Sequence, residues 1–258
     1  MWKTSVSTML LVWGLVCGPL WTADASAAEC RETRIEGQEY TVCTVDPARD
    51  DLRLFLDHPE TGARLAGFDG IDRMLAAQGT RLAFAMNAGM YHADRSPVGL
   101  YVEDGHEHAP LVTRAGPGNF GLLPNGVFCI RKARADVIET LRYAETRPAC
   151  RDASQSGPML VIDGALHPRF LEDSDSRHVR NGVGTSAEGD RAWFVISDAP
   201  VNFHRFGRVF RDYLGADQAL YFDGSVSRLH APHLDRSDQG FPLGPMVGVA
   251  VDAGTAVD

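Results

Sequence analysis

The stretch Ala219-Leu220-Tyr221-Phe222-Asp223-Gly224-Ser225-Val226-Ser227-Arg228-Leu229-His230 reads as a buried strand that ends in a carboxylate. Four apolar residues run straight into Asp223, then Gly224, then hydroxyls at Ser225 and Ser227. A strand held in a sheet is rigid, and the loops at sheet edges carry sites. Glycine beside a polar group lets a ligand approach the backbone closely.

The same punctuation recurs along the chain. "FAMNAGMY" (84–91) ends its apolar run at Asn87, and "DASQSGPMLV" (152–161) sets Gln155 and Ser156 just before a strand. "HVRNGVGTS" (178–186) places Arg180 and Asn181 at a strand start, and "WFVISDAPVNF" (193–203) ends at Ser197 and Asp198. If these ends converge, they form a pocket with one cation, two carboxylates, amides and hydroxyls. Each residue also has a plainer reading. Asn87 before Ala-Gly suits an Asx turn, and Asp198 before Ala-Pro suits a loop or cap. Arg180 suits a surface cation, and Asp163 a simple Asp-Gly turn.

Further short apolar runs, bounded by Gly, Pro or Asp, read as strands: "DLRLFLDH" (51–58), "RLAFAM" (81–86), "PVGLYVEDG" (97–105), "NGVFCIR" (125–131), "GPMLVIDG" (157–164), "RAWFVISD" (191–198) and "MVGVAV" (246–251). Asp104-Gly105 and Asp163-Gly164 are turn dipeptides of the hairpin kind. Two helices are predicted. "GIDRMLAAQG" (70–79) puts Ile71, Met74 and Leu75 on one face and stops at Gly79. "NFHRFGRVFRDYLG" (202–215) carries Phe203, Phe206, Val209, Phe210, Tyr213 and Leu214 at helical spacing, with Asn202 as N-cap and Gly215 as stop. Many short strands with few helices predict an α+β fold of mixed, largely antiparallel sheets with a few flanking helices. No repeat, low-complexity tract or Pro/Ser-rich linker divides the chain, so a single domain is expected over residues 28–258.

Residues 1–27 read as a secretory signal peptide. Lys3 supplies a positive charge, Met9 to Val16 is a short apolar run, and Ala25-Ser26-Ala27 fits a cleavage site. A membrane anchor would need a longer apolar run, and no other such run follows. The formal charge of −9 argues against a nucleic-acid backbone as partner. It leaves room for an anionic ligand, because one buried Arg can bind a phosphate inside an acidic protein. Beyond the signal the cysteines are Cys30, Cys43, Cys129 and Cys150. An even number in an exported chain implies disulfides, with three pairings open. The local pairs, Cys30–Cys43 and Cys129–Cys150, are preferred because each closes a loop short enough to be a hairpin.

Some patterns mislead. "GPGNFG" (116–121) fits G-x-G-x-x-G, but it contains Pro117, precedes "LLPNGVF" rather than a helix and lacks a βαβ setting. It is rejected as a dinucleotide loop. "DGSVS" is not a nucleophile elbow, because no Gly stands at the required place after Ser225. His106 and His108 flank Glu107 in an acidic turn, which reads as a solvated hairpin rather than a metal site.

Six motifs occur together in order: "NAGM" (87–90), "PVGLYV" (97–102), "LPNGVF" (123–128), "QSGPML" (155–160), "RNGVG" (180–184) and "ALYFDGSVS" (219–227). In this the chain resembles the phosphodiester glycosidase family, over about Phe84 to Val251. The family includes the lysosomal enzyme that removes N-acetylglucosamine from a sugar phosphodiester, and many secreted bacterial proteins. The bacterial branch is the nearer, since the lysosomal one carries a glycine-richer run where this chain has Asp223 to Ser227. The resemblance implies a secreted hydrolase acting on a carbohydrate or sugar-1-phosphodiester. It calls for no cofactor and no metal. The bond joins an anomeric carbon to a phosphate oxygen, and phosphate leaves without much help from an acid. A cation for the phosphate is needed instead, and the planar fork of Arg180 suits it. Asp223 would face the anomeric carbon as nucleophile or as base for water, with Asp198 as second carboxylate. Asn87, Gln155, Ser156, Asn181, Gly224 and Ser225 would contact sugar or phosphate. Two other readings remain open: a glycan-binding module without turnover, and a metal-dependent phosphodiesterase cutting P–O.

Overall fold

The computed structural model describes residues 1–2 and 28–254. The expected export signal, beyond its first two residues, lies outside the described residues. The chain opens with a hairpin, β1 (Glu29–Ile35) and β2 (Gln38–Val45), turned at Glu36 and Gly37. Then come β3 (Asp51–Phe55), helix α1 (Phe68–Ala76) and β4 (Thr80–Asn87). A second hairpin, β5 (Tyr101–Glu103) and β6 (His106–Ala109), turns at Asp104-Gly105, both at positive φ. β7 (Gly126–Arg131), β8 (Arg134–Glu139), helix α2 (Thr140–Thr146) and β9 (Asp152–Ser156) follow. The rest comprises β10 (Met159–Ile162), β11 (Ala165–Leu166), β12 (Asn181–Thr185), β13 (Ala192–Ser197), helix α3 (Phe203–Arg208), β14 (Gln218–Asp223), β15 (Leu229–Ala231), β16 (Arg236–Ser237) and β17 (Met246–Asp252).

These strands form three sheets, ordered β1-β2-β13-β12-β14-β10-β11, β16-β15-β4-β17-β3 and β6-β5-β9-β7-β8. The sheets are antiparallel, and the three flanking helices are short, so the fold is α+β. One core joins all three. Phe84 of β4, Phe128 of β7 and Phe194 of β13 meet there, with ring centroids 5.3 Å (Phe84–Phe194) and 5.6 Å (Phe128–Phe194) apart. Phe222 of β14 joins them 6.3 Å from Phe128. Phe84 and Phe222 precede Asn87 and Asp223 on their own strands, Phe128 pairs with Ser154 next to Ser156 on β9, and Phe194 pairs with Val183 near Asn181 on β12. Packing the rings therefore gathers those strand ends.

The helices cover the outer faces. α1 lays Phe68, Ile71, Met74 and Leu75 on Leu82, Ala85 and Met246, which is the amphipathic face expected from the sequence. Asn202 caps α3, its Oδ1 accepting from Arg205 N at 2.9 Å. The helix continues as a π turn, Val209–Tyr213, and ends before Gly215 at φ 67°. Phe206 and Phe210 pack on Leu160, Val195 and Tyr221. Disulfides join Cys30 to Cys43 across β1–β2, and Cys129 of β7 to Cys150 just before β9. Among the described residues no helix is long and apolar enough to cross a membrane.

The polar strand ends differ from expectation in one respect. Gln155 and Ser156 do precede a strand, β10, but they also close one of their own, β9, whose five residues are all buried. The apolar pattern hid it, because Asp152-Ala-Ser-Gln-Ser has no hydrophobic alternation to read.

Candidate active site

β14 reaches the site through an irregular register. Gly182 pairs with Tyr221 and Asn181 with Asp223, so Phe222 is an extra residue on its strand. Such bulges re-aim the residue that follows. Here Asp223 emerges opposite Asn181, 8% exposed, on the wall of a cleft.

The Asp223 carboxylate is held by the loop it begins. Its Oδ1 accepts from Gly224 N at 2.5 Å and from Ser225 N at 2.6 Å. Burial pushes its pKa above the ordinary aspartate value, against the pull of the backbone N–H groups of Ser225, Gly224 and Val226. No Lys, Arg or His forms an ion pair with it among the described residues. A buried carboxylate with a perturbed pKa on a cleft wall is a candidate functional group.

Behind Asp223 lies a buried amide and hydroxyl network. Asn87 of β4 and Asn181 of β12 are both fully buried. Asn181 Nδ2 donates to Asn87 O at 2.9 Å and lies 3.0 Å from Asn87 Oδ1, which accepts from Arg228 N at 3.0 Å. Ser227 Oγ lies 2.9 Å from both Val179 O and Asp223 O, and 3.3 Å from Asn181 Oδ1. Ser156 Oγ donates to Phe222 O at 3.0 Å. These groups satisfy one another, so the network fixes the loop carrying Asp223.

The cleft holds about 470 Å³. Asp223, Ser225 and Val226 form one wall; Met90, Tyr91 and Val98 another; Pro117, Gly118, Asn119 and Phe120 a third. Of the residues singled out from sequence, Asp223 and Ser225 line it. Asn87, Asn181 and Ser156 support it from within.

Gly224 has a different task from the expected one. A Cβ there would fall 2.1 Å from Tyr221 Oη, so the glycine makes room for that hydroxyl. Arg180 does not reach the cleft. It is fully buried, its guanidinium carbon 3.6 Å from the Phe203 ring centroid and 5.3 Å from that of Tyr221. Its Nε donates to Val201 O at 2.8 Å and its Nη2 to Ser176 O at 3.0 Å. Its side chain faces the Tyr221 hydroxyl, which Asn119 of the cleft wall also approaches, and no carboxylate pairs with Arg180 among the described residues. Burial lowers the pKa of Arg180 and raises that of Tyr221.

Two other residues lie elsewhere. Gln155 turns away from the cleft: its Oε1 accepts from Leu100 N at 3.1 Å and Val112 N at 3.0 Å, and its Nε2 donates to Val112 O and Thr140 Oγ1. All four of its hydrogen-bonding positions hold protein, leaving none for a ligand. Asp198 sits at the surface in an ion pair with Arg236, 2.6 Å away, rather than beside Asp223. The sequence reading missed Tyr91, Asn119 and Tyr221. Tyr91 directly follows "NAGM", and Asn119 lies inside the rejected "GPGNFG"; that loop serves as cleft wall.

Comparison with known proteins gives the family and the fold. The family model for phosphodiester glycosidase matches residues 80–249, and the chain belongs to that family. Membership points to glycosidase-type hydrolysis. The uncharacterized protein YigE of Escherichia coli is 29% identical over 231 residues, covering 90% of this chain and 88% of that protein. Among solved structures, the catalytic domain of zebrafish N-acetylglucosamine-1-phosphodiester alpha-N-acetylglucosaminidase, auto-inhibited by its pro-peptide, superposes with TM-score 0.59 at 12% identity. That match covers 86% of this chain and 81% of the zebrafish chain. A hypothetical protein from Synechocystis gives TM-score 0.55 at 15% identity; 86% of this chain spans 61% of that one. At these identities the two structures share the fold alone.

Proposed function

We propose that this protein hydrolyses the bond between an anomeric carbon and a phosphate oxygen, with Asp223 acting at that carbon. The observation that carries the reading is Asp223 itself: a buried carboxylate, fixed by two backbone N–H groups and without a cationic partner, facing a cleft large enough for a sugar. In the reaction one water is consumed. The C–O bond breaks, its electron pair leaves with the phosphate, the sugar gains a hydroxyl and one proton is released. Asp223 either attacks the carbon first or takes the proton from water.

Ser225 and Asn119 on the cleft walls supply hydrogen bonds to sugar hydroxyls. Asn87, Asn181, Ser156 and Ser227 position the Asp223 loop. Arg180 is a positioning residue in this scheme, acting through Tyr221: its charge stands behind the Tyr221 ring, whose hydroxyl abuts Gly224. We also read the chain as exported, with a signal over residues 1–27 and the glycosidase domain over 28–258. The two disulfides fit an oxidising compartment.

The test is turnover of a panel of sugar-1-phosphodiesters, following free sugar and phosphomonoester together. Stoichiometric release of both by the wild type, lost in Asp223→Asn, supports the reading. Saturable binding of the same compounds without product on long incubation would replace it with a glycan-binding module.

A further inference from the structure

A second group of reactive side chains lies outside the Asp223 cleft, where α1 meets the β15–β16 hairpin. His230 of β15 and Ser237 of β16 stand opposite each other in the ladder. His230 Nδ1 lies 2.9 Å from Ser237 Oγ. On the other side of the ring, Nε2 lies 3.3 Å from Asp72 Oδ2 of α1, at ion-pair distance though off the line of a hydrogen bond. Asp72 is itself fixed, its Oδ1 accepting from Leu82 N at 3.2 Å. The Phe68 ring stacks on the imidazole, with centroids 5.7 Å apart. His230 is buried, while Ser237 is exposed.

A hydroxyl, an imidazole within hydrogen-bond reach of it and a carboxylate behind the imidazole are the parts of an activated nucleophile. The carboxylate beside Nε2 favours a proton on that nitrogen, which leaves Nδ1 to accept from Ser237. Serine proteases present the two ring nitrogens the other way round, but such a triad is defined by geometry and roles. A histidine that only ties two elements together has no need of an exposed partner. Ser237 opens onto a recess of about 170 Å³, with Phe68 and Pro242 as apolar wall. At roughly 30 Å³ per water-sized volume, that holds a short acyl group and not a sugar. Asp69 and Asp238 line it too and disfavour an anion, so a neutral ester suits it. Arg228, also on its wall, keeps a buried Nε–H without an acceptor, a donor for a carbonyl oxygen that becomes an oxyanion. The recess shares no lining residue with the Asp223 cleft.

We propose that Ser237, His230 and Asp72 form a second nucleophilic site, one that hydrolyses short, neutral acyl esters. Ser237 and His230 are its catalytic residues, and Asp72 positions the imidazole. Ser237 Oγ attacks the ester carbonyl carbon, and its proton passes to His230 Nδ1. The C–O bond to the alcohol breaks, and the alcohol leaves with that proton. Water then attacks the acyl-serine and gives a proton to His230. The acid departs, and the proton returns to Ser237 Oγ. One water is consumed, and one acid and one alcohol form. The site does not rest on the sugar-phosphodiester reading, so either can fail without the other.

The test is labelling of the purified protein with a small fluorophosphonate, in which an Oγ–P bond replaces P–F and fluoride leaves. Intact mass gives the rate, and peptide mapping gives the site. The expected result is a single adduct on Ser237, absent from Ser237→Ala. His230→Gln should label about 10²-fold more slowly or worse, as when a general base is removed. Asp72→Asn should label about tenfold more slowly or worse, and Asp72→Glu should recover part of that loss. Cleavage of p-nitrophenyl acetate should rank the variants in the same order, with Ser237→Ala at the rate of the buffer.

Thermal melts confirm that each variant folds. No adduct on the wild type, an adduct on another residue, or labelling of His230→Gln at the wild-type rate overturns the proposal. So does an Asp72→Glu variant no faster than Asp72→Asn, which would make Asp72 a structural tie alone. Should a variant at the buried His230 fail to fold, the wild type and Ser237→Ala still decide, because Ser237 is exposed and a serine without a base does not label.

Discussion

The side-chain amides of Asn87 and Asn181 join two different sheets at the base of the cleft. Asn87 Nδ2 lies 3.2 Å from Asn181 Oδ1, and Asn181 Nδ2 lies 3.0 Å from Asn87 Oδ1 and 2.9 Å from Asn87 O. β4 and β12 belong to separate sheets, so this contact ties their ends together. Replacing Asn87 by Ala removes both side-chain contacts to Asn181 and leaves the N–H of Arg228 without its acceptor, while the bond from Asn181 Nδ2 to the residue 87 carbonyl survives. The expected loss of stability is about 1–3 kcal/mol, because a buried polar group left unpaired costs more than the bond itself contributes. Urea unfolding of Asn87→Ala measures it. A change within experimental error would mean that the pair is not a tie.

Gly224 is required for space. In Gly224→Ala the new methyl group meets the Tyr221 hydroxyl, and the Tyr221 ring has little room to retreat because Phe203 stands edge-on 4.8 Å away. The Asp223 loop must then shift. Turnover should fall at least about tenfold, since small misplacements of catalytic groups are costly. The double variant Gly224→Ala/Tyr221→Phe, which removes the obstructing oxygen, should recover part of the loss. Kinetics of the single and double variants decide it, and no recovery would show that the methyl clashes with something else.

Asp223 should weaken the fold that holds it. Its pKa is raised in the folded state by burial, so the charged form is the disfavoured one. The sign follows from linkage: stability is full below the unfolded value and is lost as pH rises through the higher folded value. Asp223→Asn keeps an oxygen for the N–H groups of Gly224 and Ser225 but removes the charge. Its melting temperature should exceed that of the wild type at neutral pH, and the difference should close on acidification through the ordinary aspartate range. Activity should run the other way. The carboxylate is the reactive form, so the acidic limb of kcat/KM should lie above the ordinary aspartate value. Thermal melts and rate profiles over the same pH series test both halves.

Much of this arrangement was legible in the residues themselves. The apolar run Ala219–Phe222 ending in Asp223 gave both the strand and the carboxylate at its tip, and Asn87 announced the end of β4 in the same way. The π segment after α3 was not legible, because the stripe Phe203, Phe206, Phe210 suits either winding. β9 stayed hidden for want of apolar residues. The site was harder than the fold. Periodicity says that Arg180 begins a strand, but not that Phe203 and Tyr221 enclose it from residues far along the chain. Asp198 ends its strand as Asp223 does, yet Arg236 captures it. Which strand end opens to a cleft is set by tertiary packing between segments more than a hundred residues apart. Tyr91, Asn119 and Asp223 come together only there.

The most direct test of the account is hydrolysis of a sugar-1-phosphodiester in water enriched in oxygen-18, with wild type and Asp223→Asn side by side. The account predicts the label on the anomeric hydroxyl of the released sugar and none in the phosphate. It also predicts a rate about 10³-fold lower or worse in the variant, as expected when a general base or nucleophile is removed. Label in the phosphate, or an Asp223→Asn variant as active as the wild type, would contradict it.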